Sequence, residues 1–359
     1  MKKKYLGLTA LTASGLFVSL GYPFFKLIVR AGDNKKGSRK KWFSFRHTRI
    51  NHPRNGYEDK YEEGKAWCMS FVDTEDGTDK ESGANELSYY PSKAAAVEQD
   101  GRLTVKMTDM YITSQDGLHL HAYYLPAADS KRIVLLSHGY RGSGFSDFAN
   151  TAKFLHDNGC DLLFIDQRCC GRSEGKYITF GAKEHLDVLD WTDMLAKNNS
   201  AGLPIYLYGE SMGAASVLMA AGHTLPDCVR GIISDCGFTS MKQQLRDIAD
   251  EWFHIQWIEL LLMRVSLFCR LFAGFKMSDA DTADALSKCT VPVLFFHGSN
   301  DTYVKAHNSV INFELCRSKK ELVIIPGARH LCCPYVDEAL YREKITEFFS
   351  GNDQFQVLF

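Results

Sequence analysis

Leu203-Pro204-Ile205-Tyr206-Leu207-Tyr208 runs without a break into Gly209-Glu210-Ser211-Met212-Gly213 and then into Ala214-Ala215-Ser216-Val217-Leu218-Met219-Ala220-Ala221. The first run reads as a buried strand and the last as a small-residue helix, so the residues between them must make a sharp turn. A serine at the tip of such a turn leaves no room for side chains two positions away on either side. Glycine is therefore needed at both 209 and 213. The stretch has the form of a nucleophile elbow. The five-residue pattern is weak evidence alone, and its surroundings must supply the rest.

Outward from the elbow, short apolar runs at 133–137, 162–165, 205–208, 231–234, 291–296 and 322–325 alternate with helical stretches. That alternation predicts a mostly parallel sheet covered by helices on both faces. Ahead of it, 105–113 and 118–125 alternate in polarity and flank Ser114-Gln115-Asp116-Gly117, which reads as an antiparallel hairpin. The hairpin brings the expected sheet to eight strands in an α/β fold. The longest interruption, 241–286, reads as helices carrying Trp252, Phe253, Trp257, Leu260, Leu261, Met263, Leu267, Phe268, Leu271 and Phe272. These side chains are either the buried face of packed helices or the inner wall of a small cap above the carboxyl ends of the strands. Trp252 and Trp257 are the cap candidates for a substrate pocket.

A serine hydroxyl needs a base to take its proton and an acid to orient that base. Asp301 follows the 291–296 run within His297-Gly298-Ser299-Asn300-Asp301, and His330 follows the 322–325 run within Ile325-Pro326-Gly327-Ala328-Arg329-His330. Both fall on loops at the carboxyl ends of strands, in the order serine, acid, histidine that an elbow of this kind requires. Asp235 is an alternative acid with a less suitable setting, and His297 reads as a brace for its own loop. The oxyanion of an acyl-transfer intermediate needs backbone donors, and the loop His138-Gly139-Tyr140-Arg141-Gly142 offers the amide of Tyr140 beside that of Met212. Arg141 and Glu210 are candidates to flank the pocket, and His138 reads as a brace for the turn.

His138 to Gly142, Asp166-Gln167-Arg168-Cys169-Cys170-Gly171-Arg172-Ser173-Glu174-Gly175, the elbow, Ser234 to Ser240 and Gly298 to Asp301 together resemble the α/β-hydrolase superfamily. The similarity extends to bacterial membrane-anchored esterases and serine aminopeptidase-like hydrolases, and it covers about residues 100 to 350. It implies the α/β-hydrolase fold, a Ser211-Asp301-His330 triad, and a small ester or acyl substrate. Two departures are Cys169-Cys170, where such proteins often carry a small residue and histidine, and Leu331-Cys332-Cys333, where a small residue and serine are common.

The expected activity is carboxylic ester hydrolysis through an acyl-enzyme, with no metal and no cofactor. An aminopeptidase or amidase on the same fold and a non-catalytic membrane-anchored binding protein are the alternatives. His119-x-His121 and His330-Leu331-Cys332-Cys333 lack the further ligands of a metal site. Net charge is -1, with Lys+Arg 42 against Asp+Glu 43, so nothing points to nucleic acid. Eleven cysteines without paired spacing suggest free thiols in a reducing environment.

Tyr5 to Phe25 carries no charge and is long enough to cross a bilayer as a helix, following Lys2-Lys3-Lys4. It predicts a membrane anchor, or else a cleaved signal. The basic residues after it place the hydrolase on the cytoplasmic side, and secretion is the alternative. The expected division is an anchor or signal over 1–30, a juxtamembrane linker over 31–100 with a short helix near 57–71, and a hydrolase domain over 101–350. The helical cap is expected at about 241–286 within that domain, and a tail over 351–359.

Overall fold

The computed structural model describes residues 21–30, 56–72, 96–99, 102–254 and 257–353. Strands β1 (Ala96–Gln99) and β2 (Arg102–Val105) pair only with each other, as an antiparallel ribbon. The main sheet contains β3 (Thr108–Thr113), β4 (His119–Leu125), β5 (Arg132–Ser137), β6 (Cys160–Ile165), β7 (Ile205–Glu210), β8 (Val229–Asp235), β9 (Val293–Gly298) and β10 (Lys320–Ile325). Its order is β10-β9-β8-β7-β5-β6-β4-β3. Pairing is antiparallel within the β3–β4 hairpin and between β4 and β6, and parallel everywhere else. This is the α/β-hydrolase architecture, with the eight strands expected from the sequence.

Every residue of β5, β6, β7 and β9 is buried, because helices cover both faces of a parallel sheet. Edge strand β3 alternates between half-buried and exposed positions. One face packs on the helices Glu184–Asn198 and Met212–Ala220 through Val188, Trp191, Leu195, Val217 and Leu218. The other packs on Ala152–Asp157 and Glu338–Ser350 through Leu155, Tyr341, Ile345 and Phe349. The strand expected from 105 begins at Thr108 instead. Residues up to Val105 pair with β1, and the Met107 amide donates to the carbonyl of Phe71, 3.1 Å away.

A third apolar cluster lies above the carboxyl ends of the strands. It joins the helices Met241–Ile248 and Ile258–Phe268 to Phe180, Phe238, Phe25 and Val29. The expected cap is therefore present, with a covering from far upstream. Residues 21–28 are helical, and Phe25 is 1% exposed. The last residues of the uncharged N-terminal run are thus a packing element of the protein. Residues 5–20 of that run lie outside the described residues, among which no helix is long and apolar enough to cross a membrane.

Between these, the helix Glu58–Met69 occupies the position expected near 57–71. A Cβ on Gly64 would stand 1.9 Å from the Ala149 carbonyl oxygen, so the helix backbone lies directly on the chain beneath it. All eleven cysteines are free thiols.

Candidate active site

The elbow follows from sterics. Ser211 has φ 55 and ψ -115, in the left-handed half of backbone space that a non-glycine residue adopts only under constraint. A Cβ on Gly209 would fall 2.3 Å from the Gly213 carbonyl carbon, and one on Gly213 would fall 1.8 Å from the Ser137 carbonyl oxygen. Both glycines are required for the reason read from the sequence. The Ser211 amide donates to the Asp235 carbonyl at 2.9 Å, which ties the turn to β8.

Ser211, His330 and Asp301 meet at the carboxyl edge of the sheet. His330 Nε2 is 3.0 Å from Ser211 Oγ, and His330 Nδ1 is 2.7 Å from Asp301 Oδ2. Ser211 is 4% exposed and the other two are also buried. Burial alone would push the Asp301 carboxyl up, but the charges and hydrogen bonds of His330 and His297 outweigh it and hold the group well below the usual carboxylate range. An ionised carboxylate only accepts hydrogen bonds, so the imidazole proton sits on Nδ1 and Nε2 is left to accept from the serine hydroxyl. Asp301 Oδ1 accepts the amides of Tyr303 and Val304 at 2.8 and 2.9 Å, which fixes the carboxylate on its loop.

His297 holds that loop from below. Its Nε2 donates to the Val304 carbonyl at 2.8 Å, and its Nδ1 lies 2.6 Å from Ser309 Oγ. Asp235 stands apart from the imidazole relay. Burial pushes its carboxyl up, and Tyr341 donates its hydroxyl to it at 2.7 Å.

The loop after β5 runs against the nucleophile: a Cβ on Gly139 would lie 3.2 Å from Ser211 Cβ. Asp147 Oδ2 accepts the Gly139 amide at 2.7 Å. His138 Nε2 accepts the Gln167 amide at 3.1 Å, which leaves its Nδ1 to donate to the Gly139 carbonyl at 2.8 Å. His138 thus braces the turn. Met212 opens the helix after the elbow, where a backbone N–H has no partner within the helix. Tyr140 and Met212 both border the cavity at Ser211.

That cavity has a volume of about 130 Å³, and among the described residues none of its walls carries a charge. Phe180, Phe238, Leu245, Leu261 and Val265 form most of the cap side. Phe24, Leu27 and Ile28 close it from the N-terminal helix, which the sequence reading missed. Their only signal was the apolar residues on either side of Lys26, after Pro23.

The expected pocket side chains lie elsewhere. Trp257 is 58% exposed and does not border the cavity, because it precedes Ile258–Phe268 on the helix's outer side. The side chain of Trp252 lies outside the described residues. Arg141 is exposed and donates to the carbonyls of Leu27 and Arg30 at 3.1 and 3.2 Å, instead of flanking the cavity. Glu210 is buried beneath the elbow near Tyr208 and Tyr341, whose phenols are pushed well up first by their own burial and then by neighbouring carboxylates, Glu210 among them.

Cys236 is a further neighbour not foreseen from the sequence. Its sulfur and ligand atoms of Asp301 and His330 lie within 4.8 Å of one another. Burial and then the charges of Asp235 and Asp301 push its thiol well up, and a neutral thiol is a poor nucleophile and metal ligand. The histidine pair 119/121 also separates. His121 bridges Asp166 Oδ2 at 2.8 Å and Asp109 Oδ1 at 3.0 Å, whereas His119 is exposed.

Residues 128–268 match the family model described as serine aminopeptidase, S33. The match includes Ser211 and ends ahead of Asp301 and His330. The uncharacterized protein YqkD of Bacillus subtilis is 28% identical over 252 residues, covering 69% of this chain and 80% of that protein. Human monoglyceride lipase is 26% identical over 280 residues, covering 65% of this chain and 88% of the lipase. Among solved structures, the Pyrococcus furiosus esterase Pf2001 superposes with a TM-score of 0.58 at 22% identity, over 69% of this chain and 92% of the esterase. At that identity the superposition speaks for the fold, and the two lines of similarity agree. The chain has the α/β-hydrolase fold, and over residues 128–268 it is similar to the serine aminopeptidase S33 family.

Proposed function

We propose that the chain is a serine hydrolase that cleaves carboxylic esters through an acyl-enzyme. The observation that carries this reading is the hydrogen-bonded series from Ser211 Oγ to His330 to Asp301, at 3.0 and 2.7 Å, at the base of an uncharged cavity. Ser211 Oγ attacks the ester carbonyl as its proton passes to His330 Nε2, and Asp301 stabilises the imidazolium. The new C–O bond gives a tetrahedral oxyanion, held by the amides of Tyr140 and Met212. Collapse breaks the ester C–O bond, and His330 returns the proton to the departing alcohol. Water then attacks the acyl-enzyme by the same route in reverse and releases the acid.

The cavity lining favours an ester over an aminoacyl substrate. A free substrate ammonium needs an acidic partner when buried, and no charged side chain borders the cavity among the described residues. Labelling by a fluorophosphonate probe tests the nucleophile. The wild-type chain is expected to label and Ser211→Ala not to, with kcat/KM on p-nitrophenyl esters falling by about 10⁴-fold or more. Labelling that persists in Ser211→Ala overturns the assignment, and faster turnover of aminoacyl anilides than of esters overturns the substrate class.

A further inference from the structure

The helix at 21–28 and the two residues after it cross the mouth of the catalytic cavity, although nearly two hundred residues of chain separate them from the nucleophile. Their side chains divide by helical spacing. Phe25 and Val29, one turn apart, are fully buried in the cap cluster. Phe24, Leu27 and Ile28, at spacings of three and four, occupy the adjoining face and border the cavity. Lys26 faces outward with its ammonium 4.6 Å over the Tyr22 ring, and Tyr22 packs on the cap through Phe268 and Phe272, at ring-centroid distances of 5.4 and 5.8 Å. Two neighbouring faces thus do different work, one fastening the helix and the other shaping the space beside Ser211.

The fastening is polar as well as apolar. The last carbonyls of a helix find no donor within it, and here side chains of the loop after β5 supply the donors. The Tyr140 hydroxyl donates to the Ile28 carbonyl at 2.7 Å, and the Arg141 guanidinium donates to the carbonyls of Leu27 and Arg30. On the other side the Ile178 amide donates to the Val29 carbonyl at 2.8 Å, and Arg30 forms an antiparallel bridge with Tyr177. At the start of the helix, a Cβ on Gly21 would come within 2.5 Å of Arg264 Cβ, so the backbone lies close on the cap helix. A segment held at both ends and in the middle cannot be a loosely trailing linker.

We infer that residues 21–30 are a strap that belongs to the active site, and that Phe24, Leu27 and Ile28 set its specificity by enclosing an apolar acyl chain attached to the carbonyl at Ser211. The substrate class this gives is an ester of a medium-length aliphatic acid, in preference to acetate or to acids bearing a charge. The inference rests on the reading of Ser211 as the nucleophile. The cavity opens from Ser211 between the strap and the cap, its lining is aliphatic and aromatic, and its few polar lining groups include the Gln244 amide, which donates to the Tyr303 carbonyl at 2.7 Å. An extended hydrocarbon gains from burial there, whereas a charged group meets no partner.

The test uses the full chain with Ile28→Trp, which fills the space, and Leu27→Ala, which enlarges it. The octanoate-to-acetate ratio of kcat/KM on p-nitrophenyl esters should fall at least tenfold in Ile28→Trp, and the preferred chain length should increase in Leu27→Ala. Calorimetric binding of octanoate to Ser211→Ala, with and without Ile28→Trp, separates the strap from the chemistry. Weaker binding with Ile28→Trp supports the strap even if no ester is turned over, in which case only the reading of Ser211 fails. Thermal melting identifies a variant that does not fold, and the other variant then decides. Chain-length profiles and octanoate affinity unchanged from the parent chain overturn the inference.

Discussion

The floor of the cavity and its wall are built on different principles. The floor, residues 209–213 with the loops bearing His138, Asp301 and His330, is held by backbone sterics and directed hydrogen bonds. The wall, formed by the strap and the cap helices, is mainly apolar side chains in contact, with polar ties only where the strap meets the loops. Directed bonds tolerate almost no substitution, whereas apolar contacts tolerate many at graded cost. Chemistry is therefore expected to reside in the floor and selectivity in the wall.

The largest effect should separate two carboxylates of the floor. Asp301 and Asp235 are both buried at the ends of neighbouring strands, but only Asp301 bonds to His330. Asp301→Asn is expected to lower kcat by about 10⁴-fold, because an amide no longer fixes the Nδ1–H tautomer. Asp235→Asn should lower it far less, since its partner is the Tyr341 hydroxyl. Steady-state kinetics on a p-nitrophenyl ester compare the two, and equal losses would show that the floor is not organised around one acid.

Stability offers the next contrast. Gly213→Ala drives a methyl group into the Ser137 and His138 carbonyls, 1.8 and 2.6 Å away, so the elbow must open or the domain unfold. A loss above about 4 kcal/mol is expected, because backbone cannot yield as side chains do. Phe25→Ala empties a buried site in the wall and should cost about 3–5 kcal/mol, less wherever the cap can settle onto the gap. Urea denaturation of both variants measures this. A milder loss for Gly213→Ala than for Phe25→Ala would reverse the view of which part is rigid.

The same contrast explains what the sequence could convey. The strands were legible because continuous apolar runs bounded by turns have few alternative readings, and Ser211, Asp301 and His330 could be grouped because each follows a strand in a fixed order. The wall was not. The helix Ile258–Phe268 carries apolar side chains both inward and outward: Leu261, Leu262 and Val265 are buried, whereas Leu260, Met263 and Leu267 are exposed. With its few polar residues scattered and Arg264 itself buried, nothing local told Trp257 from Leu261. Phe24, Leu27 and Ile28 were hidden differently, since the uncharged run that ends at Phe25, just before Lys26, also suits a bilayer and the docking of this segment depends on residues far along the chain. Arg141 could be placed at the site but not assigned a partner, because what it holds is the strap's backbone.

The smallest effect should come from pH, and it should arise at the β3–β4 edge of the sheet, outside both the floor and the wall. His121 lies under the loop that follows β6, between the carboxylates of Asp109 and Asp166. Burial lowers its affinity for a proton, but hydrogen bonds and charges from both carboxylates outweigh this and raise its pKa above the ordinary value. A histidine with a raised folded pKa binds protons more tightly in the native state. Its stabilisation is complete below the unfolded pKa, near 6.5, and is lost as pH rises through the folded value. The urea midpoint should therefore decline from pH 6 upward until His121 has titrated, and His121→Asn should flatten that decline. Arg172, which pairs with Asp109 at 2.8 Å, keeps its charge throughout, so part of the network persists at high pH. A pH slope identical in the two proteins would move the pH sensitivity away from this edge of the sheet.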